Sequence, residues 1–212
     1  MVEPVSSSTP NAPYLFAPET LEQIVSEALR EKSSSNNDHL LDNITRRLAA
    51  AYPNHVYTGN RRWIWNRVEG AIGEMALLHG SANEYLLFFR TVNGTNGGSG
   101  VYKADVHDIM IQGGMVCRQS DGSLEHYTPG QRATLKNGRS KDYTTTDDSY
   151  MLEYGRGDIF SMLPTGLRET ITLPRVGFWS TVLTVWDFGG LILHDTFQRL
   201  EEDPSFHAIP GL

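Results

Sequence analysis

The sequence predicts an α+β protein: an antiparallel β-barrel or sandwich flanked by N-terminal helices and two C-terminal amphipathic helices. Three observations carry that expectation. Two stretches near the N-terminus repeat apolar residues at helical spacing. From about residue 62, short runs rich in β-branched and aromatic residues alternate with Gly, Asn and Asp clusters. Residues 176–199 then form a strongly apolar stretch, interrupted by Asp187, Gly189-Gly190, His194 and Asp195.

The elements follow in order. Residues 1–13 are Ser/Pro-rich and read as a loose arm, with one domain over 14–212. Pro18 opens the first helix, whose Leu21, Ile24, Val25 and Leu29 share one face. Ser33–Asp38 breaks it. Asp38 is the expected cap of a second helix, with Leu41, Ile44 and Leu48 facing inward and Pro53 ending it. Strands are expected near 62–66, 74–79, 84–92, 101–111, 114–119, 123–127, 131–135 and 148–154. Turn signals fall at Asn93–Gly100, Gly113-Gly114, Asp121-Gly122, Pro129-Gly130 and Asn137-Gly138. Many short strands at this spacing suggest a barrel or sandwich whose ends the helices cover. The apolar stretch 176–199 reads as two short amphipathic helices hinged at Gly189-Gly190. Phe178, Trp179, Trp186, Phe188 and Phe197 are residue types expected at a lipid headgroup boundary. A helix pair packed on the barrel is the alternative.

Composition narrows the function classes. The chain has 212 residues, enough to bury a core without disulfides or metal. Its 18 Lys+Arg against 25 Asp+Glu give a net charge of −7, which disfavours nucleic acid as a partner. The single cysteine, Cys117, excludes an intrachain disulfide and a Cys-based zinc site. No run of 18 uncharged apolar residues occurs, and the first 15 residues lack the basic start and apolar centre of a signal peptide.

Most candidate chemistry is weak. Cys117 has no His placed beside it by the sequence and reads as structural. The histidines show no HxH, HxxxH or HExxH spacing. The Gly-rich Asn93–Gly100 lacks the Lys-Ser/Thr ending of a phosphate loop and reads as a hairpin loop. Asn43-Ile44-Thr45 and Asn93-Gly94-Thr95 match the short glycosylation pattern, which is common by chance.

Two carboxyls are more informative. Strand alternation puts Val106, Asp108 and Met110 on one face, and Met151, Glu153 and Gly155 on one face of another strand. Each acid thus sits between apolar or small neighbours. On the inner wall of a barrel such a carboxyl loses water, its pKa rises, and it can stay protonated at neutral pH. Two brought together share a proton and become a donor and acceptor in an apolar cavity. The alternative is that both faces look outward and the carboxyls are solvated.

An ordered set of motifs over about residues 63–188 resembles a known family. Leu77-Leu78-His79-Gly80-Ser81-Ala82-Asn83-Glu84-Tyr85-Leu86-Leu87-Phe88-Phe89 looks like the "LLHxSxSEYxxxF" stretch of the fungal C-8 sterol isomerases and the sigma-1 receptor. Gly97-Gly98-Ser99-Gly100-Val101-Tyr102 resembles "GxSGxY", Asp108–Gly113 "DxxxxG", and Tyr127-Thr128-Pro129-Gly130 "YxPG". The most specific match is Tyr150-Met151-Leu152-Glu153-Tyr154-Gly155-Arg156-Gly157, similar to "WMVEYGRG". Leu163–Leu167 with Glu169-Thr170 echoes "LPFGLADT". The pattern departs at Glu69–Gly73, where a large ring is lost, and at Thr145, Phe160, Thr165 and Glu169.

The resemblance implies a cupin-like β-barrel with a buried hydrophobic cavity, in which Asp108 and Glu153 are the catalytic carboxyl pair. It implies a cofactor-independent isomerase that moves a sterol double bond from C8 to C7 through a carbocation. The rivals are a terpenoid cyclase on the same cavity and a receptor-like binder of apolar amines. The matching cavity wall comprises Met75, Leu77, Tyr85, Leu87, Phe89, Tyr102, Val106, Leu163 and Thr170. It further implies a homotrimer at the endoplasmic reticulum membrane. The family usually begins with a transmembrane helix; attachment here is expected to be peripheral, through 176–199, with a soluble cytoplasmic protein as the alternative.

Overall fold

A computed structural model describes residues 14–32, 36–119 and 121–202. The arm read over 1–13 lies outside the described residues. Helices α1 (Pro18–Arg30) and α2 (Asn37–Ala51) precede ten strands. These are β1 (Ile64–Val68), β2 (Ala71–Gly80), β3 (Glu84–Thr91), β4 (Thr95–Gly98), β5 (Ala104–Gln112), β6 (Met115–Arg118), β7 (Leu124–Tyr127), β8 (Arg132–Leu135), β9 (Asp142–Thr145) and β10 (Ser149–Gly157). A short 3₁₀ turn (Ile159–Ser161), α3 (Leu163–Thr170) and α4 (Gly177–Glu202) complete the chain. The α+β class is as the sequence predicts.

The strands form two antiparallel sheets, one of six in the order β1-β2-β3-β10-β5-β8 and one of four in the order β4-β9-β6-β7. The six-stranded sheet is buried on both faces. One face carries Ala76, Leu78, Leu86, Phe88, Ile109, Ile111, Leu152 and Tyr154 against α1 and α2. The other carries Met75, Leu87, Phe89, Val106, Met110 and Met151, packed with Met115 and Cys117 of the smaller sheet and Phe188 of α4. Burial on both sides explains why β2, β3 and β5 read as nearly continuous apolar runs rather than clean alternations.

Three local expectations need correction. The second helix is capped by Asn36, whose side chain accepts from the Asp38 amide, so Asp38 sits in the first turn instead. The Gly-rich segment Asn93–Gly100 is not only a loop, because its centre is β4, paired with β9. No hinge exists at Gly189-Gly190: α4 runs through both as one helix. Each helical glycine costs roughly 1 kcal/mol relative to alanine. Packing of Phe188 and Ser180 into the body and of Asp195 beneath the helix offsets that cost. Gly80 permits the approach, since a Cβ there would stand 3.3 Å from that of Leu191.

A buried polar network fastens the C-terminal half of α4. Glu84 is fully buried at the start of β3. It accepts from the amides of Leu15 (2.8 Å) and Phe16 (3.3 Å), the Tyr154 hydroxyl (3.0 Å) and the Arg199 guanidinium (3.3 Å). Arg199 also donates to Asp195 at 2.7 Å. A carboxyl this deep is tolerated because its oxygens are well supplied with donors. Replacing Glu84 with alanine strands those donors, so stability should fall by about 3 kcal/mol, read from the urea midpoint. A loss below about 1 kcal/mol would show that the network is dispensable.

Candidate functional site

The central strands place the two acids side by side. In the β10–β5 ladder Glu153 stands opposite Asp108, and Gly155 opposite Val106. In the β10–β3 ladder Glu153 stands opposite Leu87 and Gly155 opposite Tyr85. Directly paired residues hold their Cβ atoms roughly 5 Å apart on the same face. That face is the inner one, so the outward, solvated alternative does not hold. Asp108 is 9% exposed.

Each acid has one strong neighbour. Tyr85 donates its hydroxyl to Glu153 Oε1 at 2.7 Å. Lys141 brings its ammonium to 3.6 Å from Asp108 Oδ2. Burial, reinforced by the Asp108 charge, pushes the Glu153 carboxyl up to about 8 against the partial opposition of Tyr85 and Lys141. Burial also raises Asp108, with Lys141 pulling it back. Both effects follow from removing water around a charge that one nearby cation only partly compensates. The two carboxyls titrate as a coupled unit, both held above the ordinary carboxylate range. The phenols of Tyr85, Tyr102 and Tyr143 are raised by burial and by the nearby carboxylates, so all three remain neutral.

The acids line a cavity of about 150 Å³. That is room for about one six-membered ring, since an apolar cavity of roughly this size takes benzene. Met75, Tyr85, Leu87, Phe89, Tyr102, Val106, Leu163 and Thr170 line it. Leu77 does not. It packs in the same cluster but opens onto a neighbouring cavity of about 610 Å³ between α4 and the segment after α2. The β2–β3 register shifts between Leu77 and His79, and this irregularity marks where the strand leaves the acid cavity.

Sequence reasoning missed Lys141, Tyr143, Asn66, Met115 and Phe188, which also line the cavity. For Lys141 and Tyr143 a signal existed. They are two residues apart, Lys141 immediately before β9 and Tyr143 within it, so extended alternation puts both on one face. The strand itself went unread because Asp142–Thr145 is short and polar. α3 closes the mouth beside β1: Thr170 Oγ1 donates to Asn66 Oδ1 at 3.1 Å and accepts from the Arg67 amide at 3.0 Å.

Comparison with known proteins gives the following. The family model described as "ERG2 and Sigma1 receptor like protein" matches residues 3–197. C-8 sterol isomerase erg2 of Aspergillus fumigatus is 34% identical over 172 residues, 79% of this chain and 71% of its own. C-8 sterol isomerase of Mycosarcoma maydis is 32% identical over 82% of this chain and 74% of its own. Sigma non-opioid intracellular receptor 1 of Danio rerio is 29% identical over 76% of this chain and 72% of its own. Among solved structures, a cupin superfamily protein from Desulfitobacterium hafniense is similar over 43% of this chain and 82% of its own, at 16% identity and a TM-score of 0.37.

The Tyr85 hydrogen bond makes a testable demand. It favours the charged form of Glu153. Tyr85→Phe should therefore move the Glu153 titration to higher pH, read by carbon NMR of labelled glutamate. Gly155→Ala should do the same, because a Cβ at 155 would fall within the Tyr85 ring and push it aside. An unchanged or lower titration point in both variants would show that Tyr85 does not govern the acid.

Proposed function

The chain belongs to the family of ERG2 and Sigma1 receptor like proteins, and from that premise we propose that it is a cofactor-independent sterol isomerase acting through acid–base chemistry on an alkene. The supporting observation is the in-register Asp108–Glu153 pair on the wall of an apolar cavity. The names of the fungal relatives favour double-bond isomerisation over cyclisation.

The chemistry follows from the pair. The Glu153 hydroxyl adds its proton to one alkene carbon, using the π electrons, and leaves a carbocation on the other. The apolar part of the wall, with Met75, Leu87, Phe89, Val106 and Phe188, limits the water that can reach that cation. The carboxylates stabilise it through space. A carboxylate of the pair then takes a proton from a neighbouring carbon, and those C–H electrons form the shifted double bond. No proton is consumed overall. The rings of Tyr85, Phe89 and Tyr102 add cation–π stabilisation. A four-ring substrate exceeds the present cavity, so its entry requires the wall to widen, and Met162, Leu163 and Gly166 place the 3₁₀ turn and α3 on that wall.

The other face of α4 supports a peripheral place on a membrane. Phe178, Trp179, Val185, Trp186, Leu193 and Phe197 are all more than half exposed. No helix of the described residues is long and apolar enough to cross a bilayer. Such a face fits an interfacial helix that lies in the headgroup plane, close to a lipid-borne substrate.

Purified protein incubated with a C8 sterol alkene in heavy water should give the C7 isomer with one deuterium incorporated. Glu153→Gln should lower turnover by at least about a hundredfold. Full turnover in both Glu153→Gln and Asp108→Asn would refute the mechanism. Because Glu153 must be protonated and its carboxyl lies up near 8, the rate should fall about tenfold per pH unit above that point. Tight binding of an apolar amine without any product would favour the receptor-like reading, which the similarity to the sigma receptors supports. Separately, Trp179→Asp with Trp186→Asp should lower flotation with phosphatidylcholine vesicles at least fivefold. Equal flotation would place α4 elsewhere.

A further inference from the structure

The acids share their cavity with one buried cation. Lys141 is 5% exposed and brings its ammonium to 3.6 Å from Asp108 Oδ2. Its backbone is held at two points: its amide donates to Ser99 Oγ at 3.0 Å, and its carbonyl accepts from the Ser99 amide at 2.9 Å. The Ser99 hydroxyl donates to the Gly100 carbonyl at 3.1 Å, which leaves its lone pair for the Lys141 amide. The clamp ties Lys141 to the end of β4 and sets its ammonium beside β5. The other titratable groups near the acids are Tyr85 on β3, Cys117 on β6, Tyr127 on β7, Tyr143 on β9 and Tyr102 ahead of β5. Burial raises all five, so none carries charge at neutral pH. Glu125 on β7 also acts on Lys141, but it is exposed and screened by water. α4 contributes Thr184 and Phe188, which do not titrate. Among the described residues, Lys141 is thus the one cation acting on either acid.

A double-bond shift sets a requirement that burial alone does not meet. One carboxyl must hold a proton for the alkene, while another group must already be a carboxylate to take a proton from a different carbon. Burial raises both acids, so without a cation each would keep its proton, giving two acids and no base. An ammonium within 4 Å favours the ionised form, and it does so most for the carboxyl nearest to it, Asp108. We propose that Lys141 is a positioning residue for the reaction, which keeps one member of the Asp108–Glu153 pair ionised while the other retains its proton, so that acid and base coexist in a chamber that would otherwise hold two acids. This rests on the reading of the pair as acid and base and deepens it. Lys141 touches no reacting atom; it acts through Asp108.

The test follows turnover of a C8 sterol alkene against pH, together with carbon NMR titration of labelled Asp and Glu carboxyls, on the full chain. The wild-type rate should fall on both sides of an optimum, and the NMR should count one proton on the pair at pH 7. Removing the positive charge makes both carboxyls harder to ionise. In Lys141→Met both limbs of the rate profile and both carboxyl titrations should therefore move to higher pH, by about one pH unit or more. Lys141→Arg should keep the limbs within about half a pH unit of the wild type, because the charge is restored. If the methionine variant does not fold, Lys141→Gln and the wild-type proton count carry the same decision. A folded neutral variant that is slower at every pH with unmoved limbs and titrations overturns the proposal, because Lys141 is then only structural. A wild-type pair holding two protons or none at pH 7 overturns it as well. Absence of sterol isomerisation while the carboxyl titrations move as stated overturns the isomerase reading and leaves Lys141 its hold on the pair.

Discussion

Two carboxyl groups facing each other across one strand pair, away from water, are the constraint around which the rest of the molecule is arranged. A pair of buried carboxylates with no compensation would cost several kcal/mol per charge. The structure meets that cost without removing either acid. Burial raises the Glu153 carboxyl and so favours a shared proton on the pair, Tyr85 donates to Glu153, and Lys141 faces Asp108. Each measure draws on a different part of the fold. Tyr85 comes from β3 and needs Gly155 opposite it, where a side chain would displace the ring. Lys141 comes from the smaller sheet and needs the Ser99 clamp.

Comparison of Glu153 with Glu84 shows why one glutamate reads as reactive and the other as structural. Burial raises both carboxyls. Glu84 receives two backbone amides, a tyrosine hydroxyl and a guanidinium, so its oxygens are almost fully occupied and its geometry is locked. Glu153 has a single strong donor and looks into a cavity. A carboxyl short of partners has a proton that is easily transferred, and it has room beside it for a reactant. Burial and a raised pKa are shared by both; partner count and an adjoining cavity distinguish them.

How much was legible in the sequence follows from which forces act locally. The two-residue period of strands put Asp108 with Val106 and Met110, and Glu153 with Met151 and Gly155, and left open whether those faces look inward; β5 and β10 are long enough for that period to be read. Register between strands 45 positions apart is a non-local property, and the motif resemblance supplied that expectation. The short polar strands β4 and β9 escaped because their pairing partners, and no propensity of Thr95–Gly98 or Asp142–Thr145, make them strands. Lys141 was lost with β9. The hinge expected at Gly189-Gly190 failed for a related reason: glycine lowers local helix propensity, but tertiary packing of Phe188 and Asp195 decides the outcome.

The small size of the cavity has a consequence for how the protein handles water and lipid together. A chamber wide enough for four rings, lined by two acids and a lysine, would fill with water whenever it was empty. Water would then hydrate those charges and lower the carboxyl pKa values toward their ordinary range. A cavity of about 150 Å³ admits far less water than a four-ring chamber, so burial continues to hold both carboxyls above their ordinary range. The elements that must yield are the short ones. α3 has eight residues and is pinned by Thr170 to Asn66 and Arg67, whereas α4 is held by the buried network at Glu84 and Arg199. The register of the acids rests on the ladders of β10 to β3 and β5, which lie within the six-stranded sheet.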